Sequence, residues 1–341
     1  MKKNLFIALL FCFIQTKAQF VTIPDTAFVN YLHSIISAAM NGNQMDTTNT
    51  AVTTLTNISA GGLTISNLTG IQYFDALIIL YCDGNQLTSL PKLPSTLQYL
   101  QCSGNQLTSL PVLPNSLNGL LSNGNLLTSL PALPHTIKQM ECSYNNLTGL
   151  PTLPDSLQYL NCSYNQLTSL PALPNNLHDL YCSYNQLISL PALPDSLQIL
   201  KCNNNQLTNL PALPNLSLLW CNNNNISCFP PFPNSLAPQP GPCPVCPPAP
   251  LNFSNNPFNC IPNYVSVMDS VQHSYPLCSA GNSNGCAVAG INKFLENTQL
   301  KIYPNPANNK ITIDATEVVE VKLFDVLGKQ IVLPQPPQLH Q

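Results

Sequence analysis

The sequence predicts a solenoid in which short stacked coils share one curved parallel β-sheet. The convex side is expected to be extended and polyproline-like. A helical cap is expected at the N-terminal end and a short β-rich segment at the C-terminal end. Three observations carry this prediction. A 20-residue text returns in phase, as LQYLQCSGNQLTSLPVLPNS from Leu97, LQYLNCSYNQLTSLPALPNN from Leu157 and LHDLYCSYNQLISLPALPDS from Leu177. In the middle of each copy apolar and other side chains alternate with the period of a strand. Each copy then ends in LPxLP, whose prolines fix φ and remove amide donors, which opposes a helix on the back of the coil.

Residues 1–19 read as a signal peptide, with Lys2 and Lys3 as a positive start, an apolar core from Leu5 to Ile14, and Ala18 as a small residue for cleavage. The apolar run is too short to span a bilayer, and no later segment reaches the roughly 18 apolar residues a span needs, so no transmembrane segment is expected. Cys12 would suit a lipoprotein site, but Phe11 stands where that cleavage wants a small side chain. Residues 20–76 read as an N-terminal cap and an irregular first coil. A helix is expected over 22–40, with Phe28, Tyr31, Leu32, Ile35, Ile36, Ala39 and Met40 on its apolar face and Asp25 or Thr22 at its start. LTISNLTGIQYF from Leu63 reads as the irregular coil.

The repeats occupy residues 77–228, with copies starting at Leu77, Leu97, Leu117, Ile137, Leu157, Leu177, Leu197 and Leu216. In the second copy Leu100 and Cys102 should point inward and Gln101 and Ser103 outward, while Leu107, Leu110 and Leu113 fill the turn and the back. No coil can bury its leucines alone; the next coil must cover them. One Asn recurs in every copy: Asn85, Asn105, Asn125, Asn145, Asn165, Asn185, Asn205 and Asn224. An amide buried at a fixed place needs partners, so these are expected to bond backbone groups of their own and the neighbouring coil.

Residues 229–290 read as a Pro-rich loop, a terminal coil and a Cys-rich cap. Leu251, Phe253, Asn256 and Phe258 restore the repeat once. Of the 14 cysteines, Cys82, Cys102, Cys142, Cys162, Cys182, Cys202 and Cys221 form a column, with Ser122 in place of one. Thiols in register on parallel strands rarely offer a disulfide torsion, so buried free thiols are expected. Cys228, Cys243, Cys246, Cys260, Cys278 and Cys286 read as up to three disulfides of an exported cap, with pairing left open. Cys243-Pro-Val-Cys246 has the spacing of a redox or zinc motif, but no helix start follows it and no second pair answers it.

The text LxxLxCxxNxL, followed by LTxLPxLP, resembles the short leucine-rich repeats of the bacterial YopM and IpaH class over about Leu77 to Asn225. The resemblance implies a binding scaffold. IpaH members carry a separate ubiquitin-ligase domain with a nucleophilic Cys, which has no counterpart in this reading. Residues 291–341 change character. Ile302-Tyr303-Pro304-Asn305-Pro306-Ala307 and Phe324-Asp325-Val326-Leu327-Gly328-Lys329 resemble the type A C-terminal sorting domain of type IX secretion in Bacteroidota. That resemblance covers the first half of the family's pattern, so it implies a partial β-rich tail recognised by the type IX secretion machinery, and a product secreted or held at the outer-membrane surface.

Charged residues make up only 7% of the chain and the net charge is −3, which argues against nucleic acid as a partner. The five His lie outside any recognisable catalytic motif, the acidic residues are scattered, and there is no phosphate loop or metal-ligand cluster. No enzyme activity, catalytic residue, metal or cofactor is expected. What remains is a surface: Tyr81, Asp83, Gln101, Ser103, Glu141, Asn161, Tyr181, Lys201, Trp220 and Asn222 on the concave side, with Tyr144, Tyr164 and Tyr184 as a column just beyond the strands. These residues predict capture of a protein ligand, with a glycan as the other ligand class and an adhesive surface component as the other function class. The tyrosine column would equally serve to shield the turn beneath it.

Overall fold

The computed structural model describes residues 19–236, 250–268 and 275–278, together with the backbone of four short strands farther along the chain. The chain divides into two units, Met1–Cys278 and Ser279–Gln341. Residues 1–18 of the expected signal peptide, the Cys243–Cys246 segment and Cys286 lie outside the described residues.

The first unit opens with a cap. Strands β1 (Phe20–Thr22), β2 (Met40–Asn41) and β3 (Gln44–Asp46) form a small antiparallel sheet in the order β1-β3-β2. Between β1 and β2 runs α1 (Thr26–Ile36), followed by a 3-10 turn at Ser37–Ala39. The helix is shorter than 22–40 because Thr22 is still in a strand and Ile36 leaves helical geometry at φ −134° and ψ 42°. Asp25 caps its start, accepting from the Phe28 amide at 2.9 Å. Phe28, Leu32 and Ile36 are buried, whereas Ile35, expected on that face, is exposed. A short helix α2 (Thr50–Thr53) leads into the solenoid.

The solenoid's sheet has ten parallel strands in strict chain order. It begins at β4 (Asn57–Ser59), inside the stretch read as irregular, and continues through β5 (Ile79–Tyr81), β6 (Tyr99–Gln101), β7 (Gly119–Leu121), β8 (Gln139–Glu141), β9 (Tyr159–Asn161), β10 (Asp179–Tyr181), β11 (Ile199–Lys201), β12 (Leu218–Trp220) and β13 (Leu251–Asn252). The register is one repeat per coil. Leu80 pairs with Leu100, Leu100 with Leu120, Leu120 with Met140, and Leu219 with Leu251. Each of these central residues is buried, so the column of inward side chains is continuous from coil to coil. The LPxLP backs are extended, with a single turn closed by bonds such as Leu117 N–H to the Pro114 carbonyl at 3.1 Å.

Polar columns hold the coils together. The Asn105 side-chain amide donates to the carbonyls of Cys102 in its own coil and Cys82 in the previous one, both at 3.0 Å, and its oxygen accepts from the Leu87 amide at 3.0 Å. Asn125, Asn145, Asn165, Asn185, Asn205 and Asn224 repeat this arrangement. Asn85 makes its version with the Ala60 and Cys82 carbonyls and the Ile65 amide. Asn256 does so in the terminal coil, bonding the Cys221 and Phe253 carbonyls and the Ile226 amide. A second polar column follows the LPxLP segment. The Ser116 hydroxyl donates to the Ser95 and Leu97 carbonyls at 2.8 and 2.7 Å, and Thr96, Thr136 and Ser196 do likewise. Among the described residues every buried side-chain nitrogen and oxygen has a hydrogen-bond partner.

Both ends of the coil stack are covered. At the first, the Tyr31 hydroxyl accepts from the Ser59 amide at 2.8 Å, and Asp25 accepts from the Ser66 amide at 2.8 Å. The helix thereby occupies backbone donors at an edge that would otherwise be open. At the other end Phe229, Phe232, Phe253, Phe258 and Tyr275 pack ring against ring, and Cys260 and Cys278 are joined by a disulfide. Cys228 is also disulfide-bonded. Among its described residues the second unit has two antiparallel pairs: β14 (Lys301–Tyr303) with β15 (Thr312–Asp314), and β16 (Leu323–Phe324) with β17 (Gln330–Ile331).

Candidate functional site

Each strand is three residues long in most coils, and only its central residue faces the core. Both flanking residues therefore stand on the outer face of the sheet. One flanking column carries Tyr81, Gln101, Leu121, Glu141, Asn161, Tyr181, Lys201 and Trp220, which are half-buried. The other carries Ile79, Tyr99, Gly119, Gln139, Tyr159, Asp179, Ile199 and Leu218. This second column, including Tyr99, Tyr159 and Asp179, is absent from the surface read from the sequence. The missed signal was the same period-two alternation, carried one step toward the N-terminus.

The two columns interlock. Tyr159 and Tyr181 sit 5.3 Å apart between ring centroids, and Tyr81 and Tyr99 meet edge to face at 5.9 Å. The Lys201 ammonium lies 3.9 Å from the Trp220 ring centroid and 5.1 Å from that of Tyr181, which is cation–π geometry. Gly119 is small for a reason: a Cβ there would stand 2.5 Å from the Tyr99 ring. Glu141 accepts from the side-chain amides of Asn123 at 2.8 Å and Gln139 at 2.9 Å.

Burial sets the electrostatics of this face. It pushes the Tyr159 phenol up to about 12, with the negative charges of Glu141, Tyr181 and Asp179 adding to the effect. Burial, and then Asp179, raises Tyr181. Asp179 is raised by burial against the opposing pull of His178, and Lys201 is lowered by burial. Charged and polar groups here are thus already partly desolvated and held by neighbours.

The core thiols are of another kind. Cys82, Cys102, Cys142, Cys162, Cys182, Cys202 and Cys221 are free and buried, and burial pushes Cys102 and Cys162 up to about 12. Thiols in this state are neither nucleophiles nor metal ligands at neutral pH. Among the described residues, no group of three or more His, Cys, Asp and Glu is placed to hold a metal ion, and no helix is long and apolar enough to cross a membrane.

Beyond the strand ends, Tyr144, Tyr164 and Tyr184 are exposed and stack in parallel, each pair at 4.2 Å between centroids with 10° between planes. Their backbones stand in the left-handed region, at φ 54°, 56° and 54°. Asp83, at the strand side of Gly84, is half-buried.

An unbroken parallel stack of coils with Leu columns and a bonded Asn column is the architecture of leucine-rich-repeat proteins, and a leucine-rich-repeat family model matches residues 155–195 of the chain. A secretion-system C-terminal sorting-domain model matches residues 301–336, which indicates a secreted or outer-membrane cell-surface protein. Among solved structures, YopM from Yersinia enterocolitica WA-314 is similar at 32% identity, over 57% of this chain and 50% of that one, with a TM-score of 0.45. A Shigella effector leucine-rich-repeat domain is similar at 32% identity, over 51% of this chain and 71% of that one, with a TM-score of 0.39. The functional domain of InlJ from Listeria monocytogenes, which includes a cysteine ladder, is similar at 18% identity, over 76% of this chain and 75% of that one, with a TM-score of 0.43. The chain spans about half the length of the YopM structure from Y. enterocolitica. No curated protein sequence matches it.

Proposed function

We propose that this chain is an exported, non-enzymatic capture protein that binds a protein partner on the outer, concave face of its ten-stranded sheet. One observation carries the reading. Tyr159, Tyr181, Lys201 and Trp220 form a contiguous run across four neighbouring strands, each half-buried and each packed on the next. Large aromatic side chains held in this way lose little freedom on binding and supply most of their area at once, which is how interface anchors work. The partly desolvated Asp179 and Lys201 beside them would fix the orientation of a partner through polar contacts. The sorting domain supports a partner met outside the cell.

The test uses the purified chain as bait for proteins of the culture fluid and cell surface. Trp220→Ala and Tyr181→Ala should each weaken retention of the same partner about 30-fold, as anchor residues do. Val112→Ala, at an 86% exposed position on the LPxLP back, should leave it unchanged. Retention that is unaffected by both strand-face substitutions would remove the basis of the reading.

A further inference from the structure

The turn after each strand places one residue in the left-handed region in every coil. Its occupants run Gly62, Gly84, Gly104, Gly124, Tyr144, Tyr164, Tyr184, Asn204, Asn223 and Asn255, with φ between 54° and 70°. Where tyrosine fills the position, the rings stack on one another along the coil axis. Tyr164 has both faces covered by its neighbours, and beyond Tyr184 stands Asn204. On the far side of Tyr144 the next position is Gly124, which has no side chain, and Gly104 and Gly84 continue the gap. Exposure follows this order: 38% for Tyr164, 43% for Tyr184 and 58% for Tyr144.

We propose that the outer face of Tyr144, above Gly124, is a seat for a tyrosine side chain of the protein partner, which joins the stack as its fourth ring. The proposal deepens the protein-capture reading and rests on it. Three coils already show what the position accepts: a phenol ring, parallel to its neighbour, at 4.2 Å. The space is open down to the backbone, since a Cβ on Gly124 would meet only the Gly104 amide nitrogen at 3.6 Å and Cα at 3.8 Å. The Tyr164 hydroxyl meets those of Tyr144 and Tyr184, so the stack carries a row of hydroxyls along one edge. A phenol extends that row, whereas a phenyl ring does not. The seat is also continuous with the proposed capture face, because Glu141 ends β8 three residues before Tyr144 and accepts from Asn123, the residue before Gly124.

The test follows the ring resonances of the full chain, labelled with 13C at tyrosine, as N-acetyltyrosinamide is added. N-acetylphenylalaninamide and methyl β-glucoside serve as comparison probes. The seat predicts a saturable upfield shift centred on Tyr144, with millimolar affinity, and binding about fivefold tighter for the tyrosine amide than for the phenylalanine amide. Tyr144→Asn, which installs the residue found at Asn204, should weaken probe binding about tenfold or more, and Gly124→Tyr, which covers Tyr144 from within, should remove the shift from Tyr144 and move the seat one coil on, above Gly104. Tyr184→Asn, at the far end of the stack, should leave it unchanged. Should Gly124→Tyr fail to fold, Tyr144→Asn decides alone, because Asn is native to this turn in other coils. Absence of a saturable shift at Tyr144, a shift there that survives Gly124→Tyr, binding insensitive to Tyr144→Asn, or a preference for the glucoside would each overturn the proposal. Probe binding reports on the seat and partner retention in Trp220→Ala reports on the capture face, so either can fail while the other stands.

Discussion

Asn165 shows how much one side chain can do in a coil that has no helix to close it. Its amide donates to the Cys142 and Cys162 carbonyls at 3.0 and 3.1 Å, and its oxygen accepts from the Leu147 amide at 3.0 Å, so it fastens two coils and closes a turn. Replacing it with Ala leaves buried backbone groups without partners and should cost about 3 kcal/mol, measured by urea unfolding. Asn256→Ala, in the terminal coil where the amide is partly exposed, should cost about 1 kcal/mol. The buried thiols set a pH limit. Cys102 and Cys162 stand at about 12 in the folded chain against an ordinary 9.0, so below pH 9 they do not couple folding to pH. Above it, the unfolded chain releases protons that the folded chain keeps. Stability is then lost as pH rises from 9 toward 12, by roughly 1.4 kcal/mol per thiol at pH 10. Seven thiols acting together make the fall steep. Urea midpoints compared at pH 8, 9 and 10 check this; a level profile would contradict it.

At the scale of elements, what the sequence could reveal depended on repetition. The Leu, Cys and Asn columns recur often enough that strand placement and inward direction follow from pattern alone. The coil at β4 was harder to see because Ile58 and Ala60 stand where later coils have Leu and Cys, although Ile58 pairs with Leu80 in register. The cap's small sheet escaped notice because strands of two or three residues, such as Met40–Asn41, are too short to show alternation. Ile35 was assigned to the buried face by helical spacing, but a helix of 11 residues lying on a small sheet buries only a narrow stripe. The terminal coil relies on a different device. The Cys260–Cys278 disulfide closes a loop with a sequence separation of 18, and removing it as a Cys260→Ser, Cys278→Ser pair should cost about 3 kcal/mol. The effect should be local: amide exchange should accelerate at 251–261 and stay slow in β6 to β10. Uniform acceleration across the sheet would show that the last coil does not open by itself.

At the scale of the whole first unit, the positions that repeat from coil to coil and those that change divide the labour. Columns that repeat, from Leu80 through Leu251, build the stack; columns that change, from Tyr81 through Trp220, differentiate its outer face. The candidate site was half legible for this reason. Trp220, Lys201 and Tyr181 stood out as departures from a repeating text. Tyr159 and Asp179 did not, because they stand before the inward Leu, one step of the same alternation toward the N-terminus, in a column whose occupants change from coil to coil. The turn position explains why Gly, Tyr and Asn alternate in one column: the backbone demands a left-handed residue, and what stands there decides whether the rim is a gap or a ring. The most direct test of capture on the strand face is amide-exchange footprinting of the chain with and without its retained partner. The account predicts slowed exchange at 159–161, 179–181, 199–201 and 218–220, with the LPxLP backs unchanged; protection confined to those backs would contradict it.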